Sequence, residues 1–88
     1  MSISVDSSCE LHPNVAVRPE PFGALAYHYD NRRLVFLRHP DIVKVVSSLS
    51  SHNTIGDALH ANDITEDRWP AFVSAIDSLV SSEIIRVR

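Results

Sequence analysis

Pro40 divides the chain into two periodicities, and no other feature limits its folding more. Before it, apolar residues alternate with polar or small ones. Val15 and Val17 are separated by Ala16 and followed by Arg18, Phe22 to Tyr29 is rich in aromatic residues, and Arg33 to Arg38 forms a second arm. Asp30-Asn31-Arg32 lies between the two arms, and strand, Asx-containing turn and strand together spell a β-hairpin. After Pro40 the spacing changes. Ile42, Val45, Val46 and Leu49 fall at i, i+3, i+4 and i+7, which is one face of a helix, and Pro40 suits its first turn.

Two further helices follow by the same reasoning. Thr54 is placed to cap a short one carrying Ile55, Ala58 and Leu59, and Asp57 favours its N-terminus. Thr65 or Asp67 is expected to cap the next, with Pro70 tolerated near its first turn. Trp69, Phe72, Val73, Ile76, Leu79 and Val80 make its apolar stripe. Ile84, Ile85 and Val87 read as a short extended tail packed back on the domain. At the other end, residues 1–13 are polar and serine-rich, and are expected to form a loosely ordered tail ahead of a domain spanning residues 14–88. The order is three strands and then three helices, which predicts an α+β fold.

Composition narrows the function. A chain of 88 residues has room for one core. Its net charge of −3 excludes a polybasic nucleic-acid or membrane-surface protein. No apolar run approaches the roughly 20 residues that span a bilayer, and Met1 to His12 has neither the basic nor the apolar region of a secretory signal. A single cysteine, Cys9, cannot make an internal disulfide and suits a reducing cytoplasm.

The meander has two edges, and they differ. The first strand ends in Pro19-Glu20-Pro21, and prolines block strand addition. The third strand, Arg33-Leu34-Val35-Phe36-Leu37-Arg38, has four consecutive apolar residues and neither proline nor glycine. Such an edge is covered by helices, paired with a second copy, or kept for a partner strand. An even-length turn puts Leu25, Tyr27 and Tyr29 on one face with Leu34 and Phe36, and this bulky face is expected to meet the helices. Ala24, Ala26, His28 and Val35 then lie on the other.

Leu11-His12-Pro13, Val17-Arg18-Pro19-Glu20-Pro21-Phe22-Gly23-Ala24-Leu25-Ala26-Tyr27 and Arg32-Arg33-Leu34-Val35-Phe36-Leu37 resemble the mycofactocin-system peptide chaperones. These are PqqD-like peptide-recognition domains of pathways that modify ribosomally made peptides. The resemblance runs from about residue 11 to the end and is most specific from Arg18 to Leu37. It implies a winged-helix-like domain, here residues 14–88, without catalytic activity and without a cofactor. It also implies that the leader of a precursor peptide adds as a strand to Arg33–Arg38, beside the third helix. There Trp69, Val73, Ile76, Asp77 and Val80 are the expected helical contributors. The implied second partner is a radical S-adenosylmethionine enzyme that modifies the presented peptide on the way to a small redox cofactor.

Other chemistries fit less well. Among His12, His28, His39, His52 and His60, only the last two lie near each other on helical ground, and eight residues is about 12 Å along a helix axis. No metal-ligand spacing is present, so no metal site is expected. Cys9 and His12 lie in the expected tail with nothing to activate the thiol. A winged helix raises the possibility of DNA, but Asn53 to Glu83 carries only Arg68 against Asp57, Asp63, Glu66, Asp67, Asp77 and Glu83. That surface repels phosphate. The alternatives to a peptide-binding adaptor are a winged-helix transcriptional regulator acting through protein contacts or dimerisation, and a small accessory subunit with a structural role.

Overall fold

The computed structural model describes residues 3–88. Five strands and three helices follow in order: β1 (Cys9–Leu11), β2 (Val15–Glu20), β3 (Gly23–His28), β4 (Leu34–Leu37), α1 (Pro40–Ser48), α2 (Ile55–Ala61), α3 (Trp69–Ser81) and β5 (Ile85–Val87). One-turn 3-10 segments, Leu49–Ser51 and Glu66–Arg68, follow α1 and precede α3. The expected α+β order is present, with an antiparallel sheet in the order β2-β3-β4 ahead of the three helices.

Turn chemistry sets the meander's register. The loop of residues 29–32 has an even length and pairs Tyr27 with Leu34, Ala26 with Val35 and Leu25 with Phe36. His28 Nδ1 accepts from the Asp30 N–H at 3.1 Å, and Asn31 Oδ1 accepts from the Arg33 N–H at 2.9 Å. Arg32 takes a left-handed φ of 59° to close the loop. At the β2–β3 turn, Gly23 has a φ of +147°, and a Cβ there would collide with the carbonyl oxygen of Leu37. Only glycine lets the sheet begin so close to the end of β4.

The faces of the sheet are the reverse of the sequence expectation. Ala24, Ala26, His28 and Leu37 are buried, whereas Leu34 and Phe36 are about half exposed. The register groups the residues as expected, but the face with Ala24, Ala26, His28 and Leu37 meets the helices and the face with Leu34 and Phe36 does not. The physical reason is volume. The helices and the 3-10 turn after α1 supply the core with Val45, Val46, Leu49, Ile55, Leu59, Phe72, Ile76 and Leu79. Opposite side chains of that size, β3 has room for alanine at positions 24 and 26.

The expected first-turn Pro40 of α1 and Thr54 cap of α2 are both present, and His39 caps α1 in addition. Pro40 sits in the first turn of α1, and His39 Nδ1 accepts from the Asp41 N–H at 3.1 Å. Thr54 Oγ1 accepts from the Asp57 N–H at 3.1 Å at the start of α2. α3 differs, because the chain enters it through the 3-10 turn and Arg68 occupies the cap position without a side-chain bond.

The expectation of a loose tail over residues 1–13 fails for Cys9–Leu11. This segment pairs antiparallel with β5, Glu10 opposite Arg86, and an Arg86–Glu10 ion pair at 2.5 Å reinforces the ladder. Cys9 is fully buried. The C-terminal segment, expected to pack back on the domain, supplies the partner strand, and three residues are too few to show an alternating pattern. Burial of the Cys9 thiol raises its pKa above 9.0, against an opposing pull from Arg88.

Candidate functional site

Two hydrogen bonds fix the phase of the sheet and hence which backbone groups it leaves outward. The His28 N–H donates to the Arg33 carbonyl at 2.9 Å, so 28 and 33 form a hydrogen-bonded pair. In an antiparallel ladder such pairs recur at every second residue. Val35 and Leu37 therefore bond to Ala26 and Ala24, while the N–H and C=O groups of Leu34 and Phe36 point away from β3. β4 is an edge strand and these groups face outward along it. On the opposite edge the Tyr29 N–H donates to the Asn14 carbonyl at 2.9 Å, which puts Pro19 in the non-bonded phase. Its missing donor would have faced outward. One edge of the sheet is blocked, and the other is open.

An apolar cleft of about 680 Å³ lies along β4. Phe36, Leu37 and Arg38 form its strand side, Ile42 comes from α1, and Ala71, Phe72, Ala75, Ser78 and Leu79 come from α3. The positions 71, 75 and 78 follow helical spacing and carry only small side chains. They leave a trough on the α3 side of the cleft, facing the strand. Charge gathers at one end. Arg68 bridges Asp41 at 3.0 Å and its guanidinium lies 5.2 Å from the centre of the Phe72 ring. The hydrogen bond from Arg68 holds the Asp41 carboxyl below its ordinary 3.8, with His39 and Lys44 adding to the pull.

The sequence-predicted residues divide sharply. Phe36, Leu37 and Arg38 line the cleft, Leu34 and Val35 continue the same edge, and Arg33 is exposed at its start. The helical candidates lie elsewhere. Ile76 is fully buried in the core. Trp69, Val73 and Asp77 face the opposite side of α3, toward Ile3 and Val5, and the Trp69 indole N–H donates to the Ile64 carbonyl at 2.8 Å. Val80 borders a different hollow near Ile85. The cleft uses Ala71, Ala75 and Ser78 instead, a stripe that an apolar-residue search passes over. Small residues at i, i+4 and i+7 on an otherwise apolar helix are the signal that could have found it.

The structure also brings together three groups that linear spacing separates. Potential ligand atoms of His12, His28 and Asp30 lie within 4.8 Å of one another. Their hydrogen bonds assign them another task. His12 Nδ1 accepts from the Asn14 N–H and His28 Nδ1 from the Asp30 N–H, each at 3.1 Å. Those bonds engage the Nδ1 atoms of both rings, while His28 Nε2 is buried without a hydrogen-bond partner. The two rings pack at 4.4 Å and cap turns.

With this geometry in place, comparison with known proteins is direct. The family model described as "Peptide chaperone MftB family" matches residues 8–86. The peptide chaperone MftB of Mycolicibacterium smegmatis is 44% identical over 80 residues, covering 91% of this chain and 78% of that protein. Those of Mycobacterium ulcerans and Mycobacterium tuberculosis are 39% and 38% identical, each covering 91% of this chain and 73% of its relative. No solved structure matches significantly. The matched span takes in β1, the meander and all three helices, along with the open edge and its cleft. On that evidence the chain belongs to the peptide chaperone MftB family.

Proposed function

We propose that this chain is a non-catalytic adaptor that binds the leader of the mycofactocin precursor peptide by strand addition to β4 and presents it to a radical S-adenosylmethionine enzyme in the cytoplasm. The observation that carries the reading is the outward phase of Leu34 and Phe36 beside an apolar cleft. An added strand would exchange hydrogen bonds with both residues, and its alternate side chains would enter the trough over Ala71, Ala75 and Ser78. Membership of a family named for a peptide chaperone supports the same role. No helix among the described residues is long and apolar enough to cross a membrane. The stretch from Asn53 to Glu83, with Arg68 against six acids, speaks against a DNA partner.

The test is a titration of the leader peptide into isotopically labelled protein, following amide resonances. Saturable shifts should concentrate on residues 34–38 and 71–79, and the purified protein should leave the peptide's mass unchanged. Shifts centred on α2 or on the β1–β5 pair would place the site elsewhere. A mass change without the partner enzyme would overturn the adaptor reading.

A further inference from the structure

The face of the sheet turned away from the helices is unusual for a small protein. Phe22, Tyr29, Leu34 and Phe36 are 43%, 61%, 51% and 50% exposed. They form a connected surface. The Phe22 ring meets Phe36 edge-on at 5.7 Å, Tyr27 meets Tyr29 at 5.3 Å, and the register sets Tyr27 beside Leu34 and Leu25 beside Phe36. Contiguous exposed apolar patches on small monomers mark interaction sites. The patch adjoins the cleft at Phe36, which lines both, while Phe22, Tyr29 and Leu34 lie outside the cleft lining.

We infer that this outer face, completed by the bound peptide, is the docking surface for the modifying enzyme, whose matching patch has an apolar centre and an acidic rim. The inference rests on the proposed strand addition. A peptide strand on β4 places its side chains opposite Leu34 and Phe36 on this same face, which continues the proposed interface without a break. The enzyme then touches adaptor and peptide at once, and so binds the loaded adaptor more tightly than the empty one. Linkage requires the converse, with the enzyme tightening peptide binding by the same factor.

Charge selects the occupant. Residues 14–38 carry Arg18, Arg32, Arg33 and Arg38 against Glu20 and Asp30, a net of +2 in a chain of net −3. A second copy meeting this face through a twofold axis would set one arginine rim against another. An acidic rim on a different protein is complementary.

The experiment measures binding of the purified radical S-adenosylmethionine enzyme to the full chain, alone and saturated with leader peptide. Phe22→Ser and Tyr29→Ser are the probes, since both side chains are largely exposed and both substitutions should leave the circular dichroism spectrum unchanged. In the unmodified chain, leader peptide should raise enzyme affinity about fivefold or more. Each variant should keep leader affinity within about twofold while enzyme affinity falls about tenfold. Full enzyme affinity in both variants overturns the inference and leaves the peptide-binding reading intact. Failure of the unmodified chain to bind leader overturns the reading beneath it. A concentration-dependent dimer that both variants abolish would make the face a self-association surface and also overturn the inference.

Discussion

Proline scanning of β4 gives the most discriminating test of the open edge, because the phase of the ladder assigns opposite outcomes to adjacent residues. The Val35 N–H points at Ala26, and the Phe36 N–H points outward. Val35→Pro removes a ladder bond and drives the pyrrolidine ring into β3, at a cost on the order of 3 kcal/mol. A domain of 88 residues has only about 4–13 kcal/mol in total. That variant should melt well below the parent or fail to fold. Phe36→Pro should fold, as Pro19 already does at the equivalent phase of β2. Its defect appears in binding. The incoming strand loses one donor, worth about 1 kcal/mol, and its own carbonyl faces the ring unsatisfied, for about 1–3 kcal/mol more. Leader affinity should fall by about thirtyfold or more. Phe36→Ala is the control, because it removes the ring packed on Phe22 and keeps the donor. Fluorescence anisotropy of labelled leader reads affinity, and circular dichroism reads folding. A folded Phe36→Pro that binds leader as well as Phe36→Ala would refute strand addition at β4. A folded, stable Val35→Pro would refute the phase itself.

Other expectations can be checked with the same assays. Ala75→Trp should fill the cleft and lower leader affinity about tenfold without unfolding the domain, whereas Ile76→Ala should cost about 2–5 kcal/mol of stability in thermal or urea melts. Equal melting temperatures for those two variants would contradict the placement of the α3 stripe. Replacing Arg33 and Arg38 with Glu should slow association with an acidic leader and flatten its salt dependence in stopped-flow traces. Unchanged rates at low and high salt would leave these residues as edge gatekeepers. Cys9 should react with a disulfide reagent only at the rate at which the β1–β5 pair opens, since the thiol is buried and its pKa is raised. Rapid stoichiometric labelling under native conditions would disprove that burial.

The strands and helices were legible because they depend on local chemistry. The shift of period at Pro40, the Thr54 cap and the Asx turn each act within a few residues. The open edge was legible for the same reason, since Pro19 and an unbroken run from Leu34 to Leu37 distinguish the two sides of a meander. What failed were choices that depend on the other layer. Alternation shows that Leu25 and Phe36 share a face, but only the volume of the helical side chains decides which face is covered. The same gap separates the helical candidates from the cleft beside β4. Apolar spacing on α3 identifies Ile76 as inward, and the trough is found only when Ala71 and Ala75 are seen beside β4. The β1–β5 pair was hidden by its brevity and by the length of chain between its strands.

That length has a kinetic consequence. Glu10 and Arg86 face each other across 76 residues of sequence. Closing a loop of that size costs about 1.8 kcal/mol more entropy than closing a ten-residue one. The hairpins of the meander form from neighbours, while the β1–β5 ladder must await a chain already drawn together. During synthesis the order is stricter still, because β5 leaves the ribosome after each of the other described strands. Until it does, β1 has no partner strand, and the one thiol of the chain remains open to oxidants. Pulse-labelling of Cys9 during refolding would therefore time the final closure of the molecule.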